Sequence, residues 1–118
     1  MSENVILKLS FEFAILILDY ANKLEQERKY IIARQILKSG TSIGANIREA
    51  QGAESKADFV HKLKIAYKEA EETEYWLLLC EQSPHYSSPG ILKIKIQDLI
   101  KLLGKIISTT KNRYNKKI

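Results

Sequence analysis

The chain has 118 residues, of which 45% are hydrophobic and 28% charged, so it fits one globular domain, residues 1–118. No apolar run approaches the roughly 20 residues of a membrane-spanning helix, and the acidic start lacks a signal peptide's basic region. Cys80 is the single cysteine and fits a reducing compartment, so we expect a cytoplasmic protein. Residues 91–118 hold eight basic residues against one acid, within a net charge of +5, which favours an anionic partner.

The first predicted helix covers about residues 4–24. Apolar residues recur along it at spacings of three and four, from Ile6 through Phe13 to Leu24, which predicts a buried face. The other side is also apolar. A helix that is apolar around most of its circumference must be buried on more than one side, so this pattern predicts packing against another subunit. The second apolar side consists of Val5, Leu7, Phe11, Ile15 and Leu18.

The second predicted helix covers about residues 29–51 and carries a heptad stripe centred on small residues. Gly40 and Gly44 favour a break, because each interior glycine costs about 1 kcal/mol relative to alanine. We favour a continuous helix, since the stripe keeps its phase across both glycines. Asn46 lies on the stripe, where a buried amide needs a hydrogen-bond partner and commonly fixes helix register.

The third predicted helix covers about residues 56–82, with Ser55 as its N-cap. It carries an unbroken heptad stripe, predicted to be buried: Phe59, Leu63, Ala66, Ala70, Thr73, Leu77 and Cys80. Its first half is basic and its second half, residues 69–81, has five glutamates and no base. In an antiparallel bundle Arg34 and Lys38 are candidate partners for Glu69 or Glu72. Aromatic side chains beside the apolar stripe form a candidate protein-interaction patch: Tyr67, Tyr75 and Trp76.

The fourth predicted helix covers about residues 90–111 and supplies the basic side chains expected to contact phosphates. Four heptad-patterned helices joined by short loops predict an all-α, antiparallel, up-down-up-down four-helix bundle. The candidate nucleic-acid-binding residues are Lys93, Lys95, Lys101, Lys105, Lys111 and Arg113.

Catalytic and metal-binding motifs are missing from the sequence. Helical di-iron proteins carry two Glu-x-x-His pairs, whereas this chain has one loosely similar segment, Asp58 to His61. No nucleophile or zinc-protease motif occurs. We therefore expect a protein that is not an enzyme and has no cofactor and no metal site.

The central part of the sequence carries a family resemblance. The segments Ser42–Gly52, Ser55–Phe59, Leu63–Ala66 and Glu72–Leu77 resemble the four-helix-bundle family encoded in intervening sequences of bacterial 23S ribosomal RNA genes, over about residues 5–115. The resemblance implies a homopentameric barrel. It also implies kinship with the accessory variability protein of diversity-generating retroelements, which binds nucleic acid and a reverse transcriptase.

The same resemblance assigns structural roles to three polar residues, Asn46, Glu49 and Glu72, which match recurrent positions of the family. Here Arg48-Glu49-Ala50 stands where the family often has Ala-Glu-Gly, so an extra charge lies beside the motif. The leading hypothesis is a non-enzymatic, homo-oligomeric scaffold that binds RNA or DNA through its basic surface. The alternative is a protein-interaction or adaptor module without nucleic-acid binding.

Overall fold

The computed structural model describes residues 2–117, with side chains described for residues 5–113. It contains four helices and, within that range, no strand, which confirms the all-α prediction. The second helix is continuous through both glycines, and the fourth extends beyond its predicted end near residue 111. The helices are α1 (Ser2–Gln26), α2 (Tyr30–Ala50), α3 (Lys56–Gln82) and α4 (Ile91–Lys117).

Consecutive helices run antiparallel. Gly40 of α2 lies against Ile17 of α1, and Gly44, one turn later, lies against Ser10, so the two chain directions oppose each other. Contacts join α1 to α2, α2 to α3, α3 to α4 and α4 back to α1, and within the described chain no diagonal pair touches. The result is an up-down-up-down bundle measuring 53 by 22 by 21 Å.

The heptad stripes form the core. Every predicted position of the third stripe from Leu63 to Cys80 is buried, as are Ile36, Ile43 and Leu103. The core contains one polar contact between helices, in which the hydroxyls of Ser39 and Thr73 are hydrogen-bonded at 2.8 Å. Because each hydroxyl has a partner, this pair joins α2 to α3 without an unsatisfied polar group.

Two turns meet at one end of the bundle and are tied together. The Tyr20 hydroxyl donates to the Ser87 carbonyl at 2.6 Å, and the Ser87 hydroxyl donates to the Glu27 carboxylate. Lys29 Nζ lies 4.8 Å from the centre of the Tyr86 ring, a cation–π contact. We call this group of five residues the latched end.

The opposite end carries the turn between α2 and α3. The Ser55 side chain accepts a hydrogen bond from the Asp58 backbone amide at 3.0 Å, as the predicted N-cap requires. Here the last turns of α2, the first turns of α3 and the second half of α4 lie together. This end therefore gathers segments that are far apart in sequence.

Candidate nucleic-acid interface

The basic residues at the start of α4 lie beside acids. Lys93 Nζ is 2.8 Å from Glu81 Oε1 on α3, in a partly exposed ion pair. Lys95 lines a small groove between α1 and α4 together with Glu12 and Asp98. Glu81 offsets much of the charge of Lys93, and Lys95 shares its groove with two carboxylates, so both are weaker candidates for phosphate contacts than the sequence indicated.

The basic residues in the second half of α4 lie in different surroundings from those at its start. Lys101, Lys105, Lys111 and Arg113 are all exposed there. The antiparallel pairing places this segment, residues 101–113, beside the first half of α3, residues 56–68. We call these two segments together the basic end. They contain eight basic residues and one acid: Lys56, Lys62, Lys64, Lys68, Lys101, Lys105, Lys111, Arg113 and Asp58.

The charges of the two segments lie close enough to influence each other. The Lys111 ammonium on α4 is the main cause of a lowered pKa at Lys64 on α3, and Lys68 adds to the effect. The repulsion between the two ammonium groups disfavours the charged form of Lys64. A phosphate placed between them would relieve that repulsion.

Sequence reasoning missed the lysines of α3 as part of this surface. The basic first half of α3 was visible in the sequence, and so was the basic tail of α4. The antiparallel topology brings them together, because the start of α3 and the end of α4 must share one end of the bundle. Of the six residues named from the sequence, four lie in the basic end and two lie outside it.

The three polar residues singled out by the family resemblance make local contacts. Asn46 Nδ2 donates to the Ser42 carbonyl at 2.9 Å within its own helix. Glu49 pairs with Lys62 at 3.2 Å, which links α2 to α3. Glu72 accepts a hydrogen bond at 3.3 Å from the indole of Trp76. Among residues 5–113, Asn46 therefore has no hydrogen bond to another helix, and the buried polar contact between α2 and α3 is the Ser39–Thr73 pair.

The three aromatic residues predicted to form one interaction patch, Tyr67, Tyr75 and Trp76, do not all lie together. Tyr75 and Trp76 are in edge contact, with ring centroids 5.3 Å apart, and Tyr75 is exposed. Tyr67 lies more than two turns earlier and packs half-buried against Gly104 of α4. Only Tyr75 and Trp76 thus form a joint surface.

The acidic half of α3 also differs from what the sequence predicted. Burial and the neighbouring Glu72 raise the pKa of Glu69, while Lys38 opposes that rise. Lys38 is thus near Glu69, as the sequence suggested. Among residues 5–113, however, neither Lys38 nor Arg34 reaches a glutamate within ion-pair distance.

The described residues contain no group of three or more His, Cys, Asp or Glu side chains that could hold a metal ion. His61 and His85 are both exposed. No described helix combines the length and apolarity needed to cross a membrane.

Fold and surface together define a small helical bundle with positive charge concentrated at one end. The sequence profile described as 23S rRNA-intervening sequence protein matches residues 2–109. This chain belongs to that family.

A solved structure supports the assignment. It is a protein of unknown function from the S23 ribosomal protein family of Bacteroides thetaiotaomicron VPI-5482, 45% identical to this chain. The TM-score is 0.86, and the match covers 92% of this chain and 99% of the other. No curated protein matches the sequence.

Proposed function

We propose that this protein is a non-enzymatic, homo-oligomeric scaffold that binds RNA or DNA through its basic end. The observation that carries the proposal is the joining of two basic segments, residues 56–68 and 101–113, on adjacent antiparallel helices. The two segments contain eight cations and one acid, Asp58, and one of the cations, Lys62, pairs with Glu49 of α2. Such a surface attracts the phosphate backbone and releases its counterions, with little choice of sequence.

Self-association is the second part of the proposal. One side of α1 leaves large apolar residues in contact with solvent, among them Phe11 at 63% exposure. Contiguous apolar surface of this kind is typical of interaction sites. A second copy of the chain is the occupant proposed here, and the family resemblance suggests five copies in a ring. The exposed residues of this face are Val5, Phe11, Ile15 and Leu18.

A binding assay over a range of salt concentrations tests the nucleic-acid part. We expect a blunt RNA duplex to bind at low salt, with log affinity falling linearly as log salt rises. Contact with about four phosphates would give a slope near −3.6. If neither this duplex nor a single-stranded RNA binds at low salt, this part of the proposal is wrong.

Light scattering coupled to size-exclusion chromatography tests the assembly part. We expect a mass several times that of the 13.6 kDa chain, and a monomer for Phe11→Asp. The control is Ile31→Asp, which alters another exposed apolar residue, on α2 rather than α1. A monomeric wild type would contradict the scaffold, whereas equal dissociation by both variants would contradict the assignment to α1.

A second candidate function is an adaptor that binds another protein and no nucleic acid. The contact between exposed Tyr75 and Trp76 favours it, because aromatic residues are enriched at interaction hot spots. This pair lies in the acidic half of α3, away from the basic end. If the adaptor reading holds, Tyr75→Ala should abolish a pull-down from cell extract while Lys93→Glu preserves it.

A further inference from the structure

A cavity of about 380 Å³ opens at the basic end, between the turn that follows α2 and the second half of α4. Half-buried Phe59 supplies an aromatic wall, and the exposed cations Lys56 and Arg113 also line it. Gln51 contributes an amide whose Nε2 is anchored to the Ile47 carbonyl at 3.0 Å. The cavity thus combines an apolar ring, two positive charges and a positioned amide.

These groups match the parts of a single nucleotide. An aromatic side chain stacks on any base, and a lysine and an arginine bind the adjoining phosphates. The volume lies at the lower end of the range of small-ligand sites, about 300 to 1,000 Å³, which admits one nucleotide unit. A base held inside a duplex is stacked on both faces and cannot enter.

We propose that this cavity holds one unstacked base of single-stranded RNA, while the surrounding lysines bind the flanking phosphates. This proposal rests on the proposed function, since Lys56 and Arg113 belong to the basic end. It adds a preference for single-stranded over duplex RNA, which the charged surface alone does not give. Lysines on a helix surface bind duplex and single strand through the same phosphates, whereas the Phe59 wall requires a free base.

Fluorescence anisotropy with two labelled probes tests the preference. The probes are a short oligoadenylate and a blunt RNA duplex of the same length, both measured at one salt concentration. We expect Phe59→Leu to weaken binding of the oligoadenylate roughly tenfold, because the stacking partner is lost. Duplex binding should change less than twofold. Leucine keeps an apolar side chain at a position that packs against the core.

A matched pair of lysine variants guards against a folding defect in Phe59→Leu. Lys56→Gln removes a cation that lines the cavity, and Lys101→Gln removes an exposed one outside it. Lys56→Gln should weaken the single strand more than the duplex, and Lys101→Gln should weaken both equally. Thermal unfolding of each variant shows whether it folds.

Each outcome decides between the two proposals. If the wild type binds both probes and neither Phe59→Leu nor Lys56→Gln discriminates between them, the cavity proposal is wrong and the proposed function stands. If Phe59→Leu does not fold, Lys56→Gln decides the question alone. If the wild type binds neither probe, the proposed function fails and the cavity proposal fails with it.

Discussion

The two ends of the bundle differ in how their polar and charged side chains are paired, although the same four helices form both. At the latched end, side chains from two turns bond to each other: Tyr20 and Glu27 both reach Ser87, and Lys29 packs on Tyr86. At the basic end, like charges crowd together, and Lys64 stands beside Lys111. One end is built from satisfied contacts, whereas the other keeps a positive charge that its own chain does not neutralise.

The contrast between the two ends shows that stability and binding are located in different parts of this small bundle. Ion pairs at the surface contribute at most about 1 kcal/mol, so crowded lysines cost little if the core is intact. The buried stripes that run the whole length provide that core. The basic end can therefore be altered without unfolding the protein, and the latched end can be altered without touching the proposed interface.

The largest expected effect comes from removing the two lysines that face each other at the basic end. Lys64→Gln with Lys111→Gln should lower affinity for duplex RNA on the order of fiftyfold at about 0.1 M salt, because two phosphate contacts disappear. The salt slope should become shallower by about two. The control is Lys93→Gln, whose charge already pairs with Glu81. Equal losses in both proteins would show that the two ends do not differ in binding.

Packing at two glycines gives the next largest effect. A Cβ at Gly40 would lie 2.9 Å from buried Ile17, so Gly40→Ala should destabilise the protein by about 1 to 3 kcal/mol. At Gly104 of the basic end the nearest atom, on Tyr67, would be 3.5 Å away. Gly104→Ala should therefore stabilise helix α4 by up to about 1 kcal/mol. Urea unfolding measures both, and the same sign for both variants would contradict the packing described here.

Removing one hydrogen bond at the latched end should have a smaller effect on the free energy of unfolding. Tyr20→Phe removes the hydroxyl that donates to the Ser87 carbonyl and leaves the ring in place. A loss of about 1 kcal/mol in the free energy of unfolding is expected from one such bond. The affinity for RNA should not change, since the latched end lies at the far end of the bundle. A variant that loses RNA binding but keeps its stability would reverse the roles assigned to the two ends.

The smallest effect concerns pH. Burial raises the pKa of Cys80 above its ordinary value of 9.0, although the neighbouring Tyr20 hydroxyl opposes the rise. Burial also raises the pKa of Tyr20, and the adjacent thiol adds to this. Both groups bind their protons more tightly in the folded state, so their contribution to stability is complete below the unfolded pKa values and is lost as pH rises above them.

The free energy of unfolding should accordingly decrease by under about 1 kcal/mol between about pH 8 and about pH 9.5. Urea titrations at the two pH values measure it. In Cys80→Ala the decline should begin nearer the ordinary pKa of tyrosine, 10.0. An unchanged pH profile in that variant would show that the thiol does not contribute.

Much of the fold was already present in the spacing of apolar residues. The third heptad stripe was buried as predicted from Leu63 to Cys80, and the Ser55 cap began its helix. The phase of the second stripe also predicted continuity through Gly40 and Gly44. Such patterns are readable because helix periodicity depends on nearest neighbours along one helix.

The candidate interface could be predicted only in part. The sequence identified the basic tail of α4, but it could not show that Lys93 pairs with Glu81 while Lys111 faces Lys64. It grouped Tyr67 with Tyr75, although Tyr67 packs against Gly104. Each of these outcomes depends on which helix lies alongside, and periodicity within one helix does not contain that information.

The four helices, their buried stripes and the antiparallel order that short turns impose were thus predictable from the residue pattern. Tertiary structure decided the location of charge, because the start of α3 meets the end of α4 only after the bundle closes. Phe59 was visible as one stripe residue, yet its place beside Arg113 in a cavity required both helices. Local periodicity specifies what is buried, and the packing of distant segments specifies what the surface can bind.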